Sequence, residues 1–237
     1  MFDGKEANMW DGKKKAVTFS YDDGVEQDMR LVELFNEYGV KATFNINSGI
    51  QTGANVFTEK SSGITIRRMN QKDLCRLYAG HEIASHGLTH ANPAELDEET
   101  MFNEVLADKR NLETLFEQKI VGYAYPFGCY NDMAVKVLSD CGIRYARTVE
   151  TTPEFGRQKD LLRFKANFHH NDAGIFGGIE QFLAMDAKEP SVLYIWGHSY
   201  EFDVRNNWER MEEILKRLAG QKDIFYGTNA EVLLGDG

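Results

Sequence analysis

The sequence predicts an α/β fold built from parallel strands, on three observations. Short apolar runs alternate with amphipathic segments about seven times, the pattern of repeated βα units. Several of these runs lack polar alternation, as strands covered on both faces do. The first run ends in Asp22-Asp23-Gly24 and not in a glycine-rich phosphate loop. That favours a barrel, whose chemistry sits at the C-terminal ends of its strands, over an open nucleotide-binding sheet. The 237 residues suit one domain, since barrels of this size are commonly single units.

The elements follow in order. Residues 16–21 (AVTFSY) form the first strand, and 27–38 a helix with Met29, Val32, Leu34 and Phe35 on one side. Strands are expected at 41–46, 82–85 and 120–125. Between the last two, residues 97–117 place Met101, Val105, Leu112, Leu115 and Phe116 near helical spacing. The acidic stretch ELDEET at their start suits the positive end of a helix dipole. A helix at 131–140, a strand at 143–147, a helix at 174–186, a strand at 191–196 and a helix at 207–219 continue the alternation. Runs at 161–166 and 223–226 are weaker strands.

Composition narrows the function. Hydrophobic residues make up 42% and charged residues 27%, ordinary for a globular chain. The net charge of −10 opposes nucleic acid and anionic membrane surfaces, so neither is an expected partner. The polar opening MFDGKEANMWDGKKK has no signal-type apolar region, and a cytoplasmic location is expected. Lys13–Lys15 read as a solvated lead-in. Cys75, Cys129 and Cys141 are odd in number and at no metal-like spacing, so they read as reduced thiols.

The chemistry-bearing residues cluster at strand ends. The strand at 82–85 runs into SHGLTH, with His86 and His90 four apart, and the strand at 191–196 runs into GHS, with His198. Two imidazoles and a carboxylate make a three-ligand set for a divalent ion with a position open for water. One aspartate of the Asp22-Asp23 pair would bind the ion, leaving the other as a base beside it. Taken alone, Asp-Asp-Gly is a common turn and His-x-x-x-His a frequent chance spacing; together, each ending a strand, they become specific.

TFSYDDG, GHEIASHGLTH, YPFG and IWGH, in that order, resemble the motifs of the polysaccharide deacetylases, carbohydrate esterase family 4 or the NodB-homology domain. The resemblance runs from about residue 16 to 198. It implies a distorted (β/α) barrel of about seven strands, with Asp22 as general base and Asp23, His86 and His90 as metal ligands. It further implies His198 as general acid, with Ile195 in the place of a leucine, and the Phe127 backbone amide at the oxyanion. The implied ion is zinc, with Co2+, Ni2+ or Mn2+ as alternatives. The implied reaction is removal of acetyl groups from an N-acetylated carbohydrate.

The chain departs from the family pattern. Where many members carry Arg-Pro-Pro-Tyr-Gly, it reads Ala124-Tyr125-Pro126-Phe127-Gly128, without the arginine. The region YARTVETTPEF lacks the usual aspartate and tryptophan. Arg147, ending the fifth strand, is the expected substitute for the arginine, ion-paired to Asp22. Glu201 or Glu150 is expected to orient His198. Tyr125, Trp196 and Tyr200, with Phe127, are candidates to line a sugar-stacking groove, though each reads equally as a core aromatic. His81 reads as structural, His169 and His170 as surface or loop residues, and Trp208 as helix packing.

Three other readings compete. The same fold supports hydrolysis of another C–N amide or an O-acetyl ester. Two histidines and an aspartate also form the triad of non-haem iron oxygenases, but those sit on all-β scaffolds. A non-catalytic glycan-binding descendant would have no use for a free base beside a metal.

Overall fold

The computed structural model describes residues 6–235. Eleven strands and eight α-helices alternate along them. The strands are β1 (Lys15–Asp22), β2 (Thr43–Ile46), β3 (Val56–Thr58), β4 (Thr65–Arg67), β5 (Glu82–Ser85), β6 (Gly122–Ala124), β7 (Tyr145–Thr151), β8 (Phe164–Ala166), β9 (Phe168–His169), β10 (Ser191–Gly197) and β11 (Ile224–Tyr226). The helices are α1 (Asp28–Glu37), α2 (Gln71–Leu77), α3 (Glu98–Phe116), α4 (Asp132–Asp140), α5 (Ile175–Ala184), α6 (Tyr200–Arg205), α7 (Trp208–Leu218) and α8 (Asn229–Leu234).

The parallel sheet has the order β8-β7-β6-β5-β2-β1-β10-β9, with β11 added beside the start of β1. It closes because β8 and β9 are two halves of one run, paired to β7 on one side and to β10 on the other. Asn167 sits at the break and stitches it. Its amide nitrogen donates to Tyr194 O, its Oδ1 accepts from Tyr194 N, and its Nδ2 donates to Thr152 O and Glu154 O. The result is a distorted (β/α) barrel.

Every residue of β1 and β10 is buried, which explains the unbroken apolar run in β10, while β1 alternates with buried Thr18 and Ser20, bonded to Asn229 and Asn45: barrel strands face side-chain layers inside and helices outside. The helices lay their apolar stripes on that wall. Asp97 caps α3, accepting from Thr100 N at 2.8 Å, and Thr228 and Glu231 form a capping box on α8. Among the described residues no helix is long and apolar enough to cross a membrane.

The antiparallel hairpin β3–β4 and the short α2 lie in a segment where the sequence suggested no element. The hairpin's strands are three residues each, with Phe57 and Ile66 turned inward between exposed neighbours, too short for a period to show in the sequence. Lys15 is not a solvated lead-in residue: it is buried, donates to Leu183 O and pairs with Asp223. The three cysteines are free.

Candidate active site

A cavity of about 640 Å³ opens at the C-terminal ends of the strands, with Asp22, Asp23, His86, His90 and His198 in its wall. Successive strand residues normally point to opposite faces, so two adjacent aspartates in one cavity need a break in the strand. Asp23 supplies it with φ 84°. His90 (φ 62°) and Phe127 (φ 59°) share this conformation, which non-glycine residues adopt only where surrounding structure enforces it.

Asp22 is held from two sides. Asn45, its register partner on β2, donates from Nδ2 to Oδ1 at 2.7 Å, and Arg147 of β7 donates from Nη2 to Oδ2 at 2.5 Å. Arg147 is buried and lies over the Trp196 ring, 4.3 Å from its centroid. Burial raises the Asp22 pKa, but Arg147, with His86 and His198, outweighs it and leaves the carboxyl below its ordinary value. His198 Nε2 lies 3.7 Å from Asp22 Oδ2.

Asp23 meets a residue that no sequence motif marked. Arg68, just after the hairpin, donates from Nη1 to Asp23 O at 2.6 Å and Oδ1 at 3.1 Å, and to Asn47 Oδ1 at 3.2 Å. Burial again opposes ionisation, and Arg68 with the histidines overcomes it, bringing Asp23 to about 2. The hairpin thereby anchors against the site, and its Phe57 packs edge-on to Tyr200 at 5.5 Å.

Asp23, His86 and His90 offer ligand atoms within 4.8 Å of one another. The tautomer of His86 fits a metal: its Nδ1 donates to Ala124 O at 2.8 Å, which leaves the Nε2 lone pair free. Burial, the largest cause for both, lowers the pKa of His86 and brings His90 to about 4, so both rings are neutral near pH 7, as coordination requires. The donor set fits a divalent ion.

His169, His198 and Glu201 form a second group of similar closeness. Its tautomers speak against a metal. His169 Nδ1 accepts from Asn171 N at 3.2 Å, so the proton of the neutral ring is on Nε2, which faces Glu201 Oε2 at 3.1 Å as a donor. His170 is not a surface residue: it is fully buried, with Nε2 3.1 Å from Glu201 Oε2. Glu150 does not reach His198. It is exposed and bound by Tyr130 and Lys165.

The groove candidates divide. Trp196 and Tyr200 line the cavity. Tyr125 also reaches it but is 1% exposed, with its hydroxyl donating to Leu162 O, so it presents only part of a ring. Phe127 stands at the rim, 64% exposed, on a turn closed by Gly128 N to Tyr125 O and Cys129 N to Pro126 O. His81 is structural, accepting from Ala42 N and packing edge-on to Phe44. Trp208 packs in the core under α7.

A sequence profile described as polysaccharide deacetylase matches residues 10–146. No curated protein sequence matches the chain. Solved structures share the fold at low identity. The CE4 domain of a multidomain xylanase from the hindgut metagenome of Trinervitermes trinervoides is 16% identical, with TM-score 0.60, covering 94% of this chain and 91% of that one. A family 4 carbohydrate esterase from Streptomyces lividans, in complex with acetate, is 15% identical, with TM-score 0.57 and coverages of 91% and 93%. A CE4 family pseudoenzyme from Bacillus anthracis is 17% identical, with TM-score 0.57; the match covers 93% of this chain but 66% of that one. Enzymes and a pseudoenzyme alike thus share this fold.

Proposed function

This chain belongs to the polysaccharide deacetylase family, and from that premise we propose that residues 1–237 form one catalytic domain, a divalent-metal hydrolase that removes the acetyl group from an N-acetylated sugar. The family supports deacetylase chemistry in general. The finer reading is supported by one observation above others: Asp22 lies beside the Asp23–His86–His90 set and 3.7 Å from His198 Nε2. Base, ligand set and acid therefore border one cavity.

Asp23, His86 and His90 would hold the ion, and zinc suits two imidazoles and a carboxylate, with Co2+, Ni2+ and Mn2+ as alternatives. When bound, such an ion polarises a carbonyl oxygen and lowers the pKa of a coordinated water to about 7. Asp22 takes the proton of the attacking water, with Asn45 and Arg147 holding both its oxygens in place. The Phe127 amide donates to the developing oxyanion. His198 delivers a proton to the departing nitrogen as the C–N bond breaks, leaving acetate and a free amine. General acid–base help of this kind contributes about 10²–10⁴-fold. Trp196, Tyr200 and Phe127 offer aromatic faces to the sugar.

Acetate release from N-acetylated chitooligosaccharides, with and without chelator, tests the proposal. Metal-dependent release, lost in Asp22→Asn, is the expected result. Glycan binding without release would make the chain a binding protein, and release from O-acetyl esters alone would move the reading to an esterase.

A further inference from the structure

Behind His198, away from the cavity, three imidazoles converge on one carboxylate. Glu201 follows His198 by one helical turn, and its amide nitrogen donates to His198 O at 3.1 Å. Its Oε1 lies 3.0 Å from His198 Nδ1. Its Oε2 receives His169 Nε2 at 3.1 Å and Asn171 Nδ2 at 3.0 Å, with His170 Nε2 also at 3.1 Å. We propose that Glu201 is the positioning residue of the acid histidine: it holds the His198 ring by its Nδ1–H, so that Nε2 faces Asp22 and the cavity, and is itself fixed from behind by the segment His169–Asn171. The proposal rests on the function proposed above for His198.

An ionised carboxylate only accepts. A nitrogen 3.0 Å from it therefore carries a proton, and the further proton that His198 needs to act as an acid is the one on Nε2, facing the cavity. The second set of contacts decides which way Glu201 faces. Oε2 lies against groups from three consecutive residues, with Asn171 Nδ2 donating to it and the Nε2 atoms of His169 and His170 each 3.1 Å away, whereas Oε1 meets His198. Burial raises the pKa of Glu201, but the rings of His169, His170 and His198 around it overcome it and hold the carboxyl far below its ordinary range.

The cradle is itself anchored. Tyr21 Oη meets His170 Nδ1 at 3.1 Å, and Asn207 Nδ2 donates to Asn171 Oδ1 at 3.1 Å. A glycine precedes His198 because a Cβ on Gly197 would stand 2.1 Å from His170 Nδ1. The segment thus sits directly against the strand that delivers His198. Serving as a second metal site would require the lone pair of His169 Nε2, which its contact with Asn171 N denies.

Glu201→Gln separates this role from mere packing. The side chain keeps its shape but acquires one donor end. Its carbonyl oxygen is expected to take the place of Oε2, where the contacts from behind lie, which turns the NH₂ toward His198 Nδ1; a ring whose Nδ1 must accept cannot hold both protons and stays neutral with Nε2–H, a poor acid. An aspartate-to-asparagine change behind a catalytic histidine in serine proteases lowers kcat about 10⁴-fold by imposing the wrong tautomer, which shows how much one such acceptor can matter. In the metal-loaded full chain, ¹H–¹⁵N spectra of the histidine rings are expected to show a proton on Nδ1 of His198 in the wild type and none there in Glu201→Gln, whose ring carries Nε2–H alone. The expected kinetics are a fall in kcat of at least about 10²-fold with KM within about twofold and metal content unchanged. Glu201→Asp is expected to recover part of the Nδ1–H population and of kcat.

Nδ1–H retained in Glu201→Gln, or Nδ1–H lost with kcat within about threefold of wild type, overturns the proposal. A wild type without hydrolase activity would refute the proposed function while the spectra still decide the tautomer. Should Glu201→Gln fail to fold, Asn171→Ala removes one donor to Oε2; a several-fold drop in kcat at constant KM is expected, and an unchanged kcat overturns the proposal.

Discussion

Arg147 Nη2 and Asp22 Oδ2 stand 2.5 Å apart, both fully buried, although 125 residues separate them in the chain. The pair spans the barrel mouth from β7 to β1. Removing one partner of a buried pair leaves an uncompensated charge and costs about 3–5 kcal/mol. Arg147→Ala is therefore expected to lower the urea midpoint substantially and to lower kcat. The sign of the pH effect follows from the pair. Arg147 holds the Asp22 pKa down, so its loss raises that pKa, and the acid limb of the kcat/KM profile moves to higher pH. Arg147→Lys keeps the charge but loses the planar stack on Trp196 and is expected to fall between the two. An unchanged profile in Arg147→Ala would mean that Asp22 is not the base.

Metal removal gives the next expectation. Dialysis against a chelator should abolish acetate release, and Zn2+ or Co2+ should restore it. His90→Ala and His86→Ala should both lose the bound ion, measured by elemental analysis. They should differ in stability: His86 is buried and donates to Ala124 O, whereas His90 is partly exposed. Burying an unsatisfied carbonyl costs about 1–3 kcal/mol, so His86→Ala is expected to melt earlier. Full activity after complete demetallation would remove the ligand assignment.

What the sequence made legible, and what it hid, divides along physical lines. The barrel was readable because β1 and β10 are buried along their whole length, which writes apolar runs into the chain. Asp22, Asp23, His86, His90 and His198 were readable because strand ends concentrate chemistry. Arg68 was hidden because its role depends on a hairpin whose three-residue strands are too short to show a period, folding back onto Asp23. His169 and His170 were hidden for another reason. Their partner, Glu201, lies some thirty residues on, and the carboxylate that makes them buried residues is visible only in three dimensions. The buried acids Asp28 and Asp108 likewise leave no mark, because each sits on a helix whose exposed face carries similar residues.

The rim offers a kinetic test. Phe127 is 64% exposed at the cavity mouth and packs edge-on to His90 at 4.6 Å. An aromatic contact is worth about 0.5–1.5 kcal/mol. Phe127→Ala is thus expected to raise KM for oligosaccharides about three- to tenfold, with a smaller change in kcat. Phe127→Gly suits the φ of 59° better than alanine and should melt no earlier than Phe127→Ala. A KM unaffected in both would place the sugar elsewhere.

Asp28 supplies the sharpest prediction about stability. It lies buried at the start of α1, accepting from Ser199 Oγ at 2.5 Å and Tyr78 Oη at 2.6 Å. Burial raises its pKa from 3.8 to about 7, against the opposing pull of those two hydrogen bonds and the Val25 amide. Between about pH 4 and pH 7 the folded state therefore holds a proton that the unfolded chain has released. In that window stability falls as pH rises, by on the order of 4 kcal/mol in all, and the effect levels off above the folded pKa. Asp28→Asn cannot ionise, so its urea midpoint should depend less on pH than that of the wild type. Other titrating groups are common to both proteins and cancel in the difference. The variant is expected to gain on the wild type from pH 5 to pH 7 and to level off above it, as the wild type takes on a buried charge beside Ser199. Parallel pH dependences would mean that Asp28 is already ionised at pH 5, with the two hydroxyls and the Val25 amide compensating its burial in full.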